Sequence, residues 1–150
     1  MTEEISPNIF IQGAIPMDLM AALIGQNSRN TFVGAYSIFL GQVRSDESKG
    51  SRVKAVEYTT YAELAIAKFQ EIKTSLFDKY PVTSLHVHHS LGKVSAGEIC
   101  FFVLVASGHR REAIEACNEA VERIKAELPI WGMLLFENDT IQWKHNNQAG

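Results

Sequence analysis

Residues 98–128 read EICFFVLVASGHRREAIEACNEAVERIKAEL, and the change of pattern inside this stretch decides the fold. From 98 to 106 the chain is a nearly continuous apolar run, Ile99 to Val105 without a charge, which suits a central strand covered on both faces. Ser107 and Gly108 interrupt it. From 109 to 128 the residues Ala113, Ile114, Cys117, Ala120, Val121, Ile124 and Leu128 form one apolar stripe at helical spacing, and Pro129 stops the helix. A strand buried on both faces needs neighbouring strands, and the striped helix needs a sheet to lie on.

The rest of the chain supplies them. Residues 85–90 alternate and predict a strand, separated from 98–106 by turn chemistry at Gly92 and Ser95-Ala96-Gly97. Residues 31–43 and 53–60 also read as strands, with Gly34 and Gly41 marking a bend, a bulge or a close approach. Between them, 44–52 reads as a polar loop. The spacing predicts a helix over 62–80, closed by Pro81, and a short one over 17–24, opened by Pro16 with Asp18 in its first turn. A short strand is predicted over 5–11. Residues 130–136 and 140–144 flank Glu137-Asn138-Asp139 as a hairpin. Helices and strands mix without a strict βαβ rhythm, so the class is α+β. No repeat or linker divides the chain, which predicts one domain over 1–150, with 1–4 and 146–150 as frayed ends.

Composition narrows the function. The chain has 150 residues, 46% hydrophobic and 21% charged, as ordinary globular domains are. Fourteen basic residues against 17 acidic give a net charge of −3, which argues against a broad nucleic-acid surface but not against a local basic pocket. Cys100 and Cys117 both lie in apolar patterns and predict buried, reduced thiols in a reducing compartment. No stretch reads as a signal peptide or membrane span, which predicts a cytoplasmic protein with no membrane partner.

Four features bear on chemistry. His86 and His88 share a strand face and could together touch a metal, or be ordinary surface histidines; no Cys, Asp or Glu adjoins them to complete a ligand set. Ser107-Gly108-His109-Arg110-Arg111 puts backbone N–H groups, imidazole and guanidinium at a helix start, which suits phosphate or carboxylate; the alternative is two solvated arginines. Phe39-Leu40-Gly41-Gln42-Val43-Arg44 delivers an arginine at a strand end beside a polar loop, where arginines are also commonly solvated. Lys125, late in its helix, suits the helix dipole; a partly buried amine there would instead have a lowered pKa and could move protons.

Taken in order, Phe39-x-Gly41-x-Val43-Arg44, the apolar strand ending in Ser107-Gly108-His109-Arg110, the helix carrying Lys125, and Pro129-Ile130-Trp131 resemble the large, catalytic subunit of molybdopterin synthase, the MoaE family. The resemblance implies an α/β hammerhead-type fold with a mixed or antiparallel sheet, packed helices and a C-terminal hairpin. It implies a homodimer that binds a ubiquitin-like sulfur carrier, a heterotetramer in all. The carrier's C-terminal Gly-Gly thiocarboxylate would enter the site, and two sulfurs would pass to cyclic pyranopterin monophosphate to form the dithiolene of molybdopterin. It implies no metal and no organic cofactor.

Carried over, Lys125 would be the catalytic lysine. Gln42, Val43 and Arg44 would line the substrate pocket, and His109 and Arg110 would hold the pterin phosphate. Phe39 would be pocket wall, and Gly132, Met133 and Leu134 would complete it. The family commonly has a lysine directly after the tryptophan or one residue later, where this chain has Gly132 and Met133. Lys144, on the other hairpin strand, could supply an amine instead. A catalytically impaired relative that binds the carrier or a phosphorylated pterin is the alternative function. Arg110 and Lys125 fall about 22 Å apart along one helix. Either that helix breaks, or the site forms between two subunits; the second reading is preferred.

Overall fold

The computed structural model describes residues 9–144; the strand residues expected before 9, and the ends 1–4 and 146–150, lie outside them. In chain order the elements are β1 (Phe10–Gln12), α1 (Met17–Asn27), β2 (Ala35–Gln42), β3 (Glu47–Ser48), β4 (Ser51–Thr60), α2 (Ala62–Lys79), β5 (Val82–Ser95), β6 (Ile99–Ser107), α3 (Arg110–Glu127), β7 (Ile130–Phe136) and β8 (Ile141–Trp143). The eight strands form a sheet with the order β2-β6-β5-β4-β7-β8; β1 adds to β5 and β3 to β4. The β1–β5 pairing is parallel and the others antiparallel, so this is an α+β fold on a mixed sheet.

β6 lies between β2 and β5 and is buried on both faces, as its unbroken apolar run requires. Its alternation splits the core. Phe101, Val103 and Val105 pack with Ala113, Cys117, Ala120 and Ile124 of α3 and with Phe69, Ile72 and Leu76 of α2. Phe102 and Leu104 point the other way, against Ile15 and Met20 beside and within α1. Cys100 and Cys117 are buried free thiols. No helix among the described residues is long and apolar enough to cross a membrane.

Three local readings change. The segment expected as strand from 31 begins only at Ala35, because Asn30 closes a turn: its Oδ1 accepts from the Phe32 N–H at 2.9 Å. That turn brings Gly34 against the carbonyl of Gly108, where a Cβ would have no room. The polar loop at 44–52 contains a small hairpin, Glu47 opposite Arg52, turned by Lys49 and Gly50 at φ 51° and 81°. Paired positive φ values belong to the tight turn that matches strand twist. Gly92 is not a turn between strands but a kink inside the 14-residue β5, at φ 78°. Before it, β5 pairs with β6 through residues 82–89; from Gly92 to Ser95 it pairs with β4. The strand thus changes partner at the glycine.

Candidate active site

A cleft of about 390 Å³ opens where β2, β4, His89 of β5, the start of β6, the end of α3 and the C-terminal hairpin meet. β2 delivers its first wall. Val43 is locked by two backbone bonds, its N–H to Glu98 O at 3.0 Å and its O from Gly97 N–H at 2.8 Å, so the chain leaves the sheet at a fixed point and Arg44 follows at the rim. Arg44 pairs with Asp46 at 3.2 Å, both largely exposed; such a pair is weak and can be exchanged for another anion. Phe39 is edge-on to Phe101, with ring centroids 5.6 Å apart. Gly41 does permit a close approach, but by Phe101, whose Cβ would lie 3.1 Å from a Cβ at 41.

α3 supplies the second wall from its last turns, with Lys125 half-buried beside the buried Ile124 and Leu128. The helix faces the sheet through its alanine-rich stripe, and Lys125 lies at the edge of that stripe and lines the cleft. The third wall is the hairpin: Gly132 and Leu134 line the cleft. Met133 does not, because side chains alternate along β7 and Met133 takes the opposite face.

The floor is a cluster that sequence reading missed. Tyr58 of β4 donates to Cys100 Sγ at 3.4 Å, and Cys100 donates to Gly41 O at 3.5 Å. His89 stands edge-on to Tyr58 at 4.9 Å between centroids, and its Nδ1 is 2.8 Å from Ser90 O. Burial pushes the His89 pKa down to about 4, with Lys144 and Lys125 adding to the shift. Burial, then Cys100, pushes the Tyr58 phenol well above its usual range. Both are uncharged at neutral pH. The amine that burial lowers is Lys144, helped by the nearby charges of Lys125 and Arg44.

His109 and Arg110 are elsewhere. They sit exposed at the first turn of α3, with His109 as N-cap. α3 runs unbroken from Arg110 to Glu127, so the alternative of a helix break is excluded, and these two residues stand about 22 Å along the axis from Lys125. His86 and His88 do not face the cleft: His86 Nε2 is 3.2 Å from Asn27 Nδ2, and His88 stacks on Phe102. Burial lowers the pKa of both. Among the described residues, no three His, Cys, Asp or Glu side chains gather as a metal site would need. Of the three histidines in the run, the one off the shared face reaches the site; strand alternation held that signal once the direction of the core was known.

The MoaE protein family pattern matches residues 14–127. A Pyrococcus abyssi protein named molybdopterin synthase catalytic subunit is 36% identical over 110 residues, which are 73% of this chain and 71% of that one. A rat protein of the same name is 34% identical over 116 residues, 77% of this chain but only 58% of its own length. Among solved structures, molybdopterin synthase from Staphylococcus aureus superposes with a TM-score of 0.81 at 27% identity, covering 95% of this chain and 99% of that one. A complex of subunits 1 and 2 of molybdopterin-converting factor from Helicobacter pylori superposes with a TM-score of 0.78 at 24% identity, over 92% and 90% of the two chains.

Proposed function

The chain belongs to the MoaE family, whose relatives are named as catalytic subunits of molybdopterin synthase, and from that premise we propose that its cleft performs sulfur transfer in molybdenum cofactor biosynthesis. The substrate is cyclic pyranopterin monophosphate. The sulfur comes from the C-terminal thiocarboxylate of a ubiquitin-like carrier subunit. The product carries the dithiolene of molybdopterin. Lys125 inside a cleft with Arg44 at its rim is the observation that supports this reading.

The chemistry sets two demands. The phosphorylated ring must be held, which Arg44 can do with charge-assisted hydrogen bonds once it gives up Asp46. Protons must also move. When the thiocarboxylate sulfur bonds to a substrate carbon, the carbon–oxygen bond it replaces breaks and that oxygen leaves with its electron pair, while the carrier stays attached through an acyl–sulfur bond. Water must cleave that bond for the carrier to leave as a carboxylate, and the water loses its protons as it does so. Lys125 stands where an amine can stabilise the oxyanion and exchange a proton.

The exposed His109 and Arg110 fit the same substrate if a second copy of the chain brings them. A homodimer would place the start of one α3 against the cleft of the other, and two carriers would complete a heterotetramer. The sheet leaves a surface for such pairing. β2 is an edge strand whose outward residues Tyr36, Ile38 and Leu40 are all exposed and apolar. An uncovered apolar sheet edge is the kind of surface that pairing with another copy protects. The protein would act as one domain in the cytoplasm.

The test is a purified-component assay with thiocarboxylated carrier and cyclic pyranopterin monophosphate. Dithiolene product supports the enzyme. Carrier binding without product would establish the alternative, a binding module, and sink this reading.

A further inference from the structure

Gly132 lacks a Cβ, and the space one would need is already crowded. A Cβ there would meet Val56 Cγ1 at 3.1 Å, Tyr58 Cε1 at 3.2 Å and Lys144 Cδ at 3.5 Å. The aliphatic stem of Lys144 therefore runs over the bare face of the glycine. It is anchored there by the hairpin backbone, with the Lys144 N–H donating to Gly132 O at 2.8 Å. From that anchor Nζ reaches 6.0 Å from the Tyr58 ring centroid and lines the cleft together with Lys125. That distance is within cation–π range. Among the described residues, neither lysine forms a salt bridge. A lysine that merely covered Tyr58 would keep its head in bulk water; this one turns it inward.

We propose that Lys144 is a second amine of the sulfur-transfer site, delivered from the end of β8 across Gly132, and that it takes the proton released when water cleaves the acyl–sulfur bond. In that step the water oxygen bonds to the carrier's carbonyl carbon and the carbon–sulfur bond breaks. The carrier leaves as a carboxylate and the sulfur stays on the substrate as a thiol. One water proton goes to that sulfur and the other to the Lys144 amine, so atoms and charge balance. The inference rests on the function proposed above.

The surroundings suit an amine that must be neutral for part of the cycle. Burial is the main cause holding Lys144 below an ordinary lysine pKa; Lys125 on α3 and Arg44 after β2 act in the same direction, while Cys100 on β6 and Asp46 oppose them. His89 on β5 and Tyr58 on β4 are uncharged at neutral pH and bring no counter-charge. A base with its pKa moved toward the working pH is the more effective proton acceptor.

The experiment compares wild type with Lys144→Met, which keeps the stem over Gly132, in the purified-component assay across pH. Lys144→Arg replaces it if the methionine variant does not fold. Expected are a kcat about 100-fold lower, a KM for the carrier within about threefold, and loss of one ionisation from the kcat profile. A kcat within about threefold of wild type overturns the inference, and so does a lower kcat whose profile keeps every wild-type ionisation. If the wild type itself forms no product, the proposed function fails and this inference with it; an active wild type beside an equally active variant removes the inference alone.

Discussion

Mixing two impaired variants tests whether the site spans two subunits. In a homodimer with shared sites, each site takes Lys125 from one copy and Arg110 from the other. Arg110→Ala removes a charge-assisted grip on phosphate, a loss of about 1.5–3 kcal/mol, or roughly 10- to 100-fold in rate at low substrate. Lys125→Ala removes the amine. Random reassociation of equal amounts gives about half heterodimers, and each heterodimer has one site with both lesions and one with neither, so the mixture should regain about a quarter of wild-type activity. The unbroken α3 is what makes the number informative. With about 22 Å of rigid helix between the two residues, a single-chain site would carry a lesion in every copy and recover nothing. The assay is dithiolene formation after co-refolding, against each parent treated alike. Activity no higher than that of the better parent refutes the shared site.

Two further outcomes follow from the same geometry. Lys125→Ala should lower turnover by about 10²- to 10⁴-fold while carrier binding and melting temperature hold, and near-normal turnover would remove its role. His89, neutral when folded with a pKa of about 4 against 6.5 unfolded, contributes stability that is complete above pH 6.5 and lost as pH falls toward 4. Between pH 7.5 and pH 5 that loss is about 2 kcal/mol. Urea unfolding of wild type and His89→Gln should show the variant's pH slope reduced by that amount, and equal slopes would refute the assignment.

The order of the elements was legible because the strongest signals were local. β6 announced itself by its unbroken apolar run and α3 by its helical period, and Pro129 and Pro81 marked where helices end. Gly92 misled because a glycine with positive φ serves a turn and a strand kink alike, and only the change of partner from β6 to β4 tells them apart. Arg44 and Lys125 drew notice from their places at a strand end and late in a helix, but a solvated or dipole-serving side chain reads the same way there; their roles, and that of Phe39 in mid-strand, came from the family resemblance. Tyr58, His89 and Cys100 could not be placed in the site either way. Their convergence depends on register between strands far apart in the chain, with Tyr58 opposite Gly132 and His89 opposite Phe101, and register is a property of the assembled sheet.

Gly132 and Lys144 adjoin across one hairpin, and that adjacency lets ownership of a charge migrate. Two antiparallel strands present neighbouring side chains to a single spot, so either can furnish the ammonium there while its counterpart shrinks to make way. A chain compared column by column would be scored as having lost a lysine; under the role proposed for Lys144, comparison by location would count the amine as kept and its donor as changed. Inactivity inferred from a missing residue in such a ladder should therefore be checked against the opposite strand first.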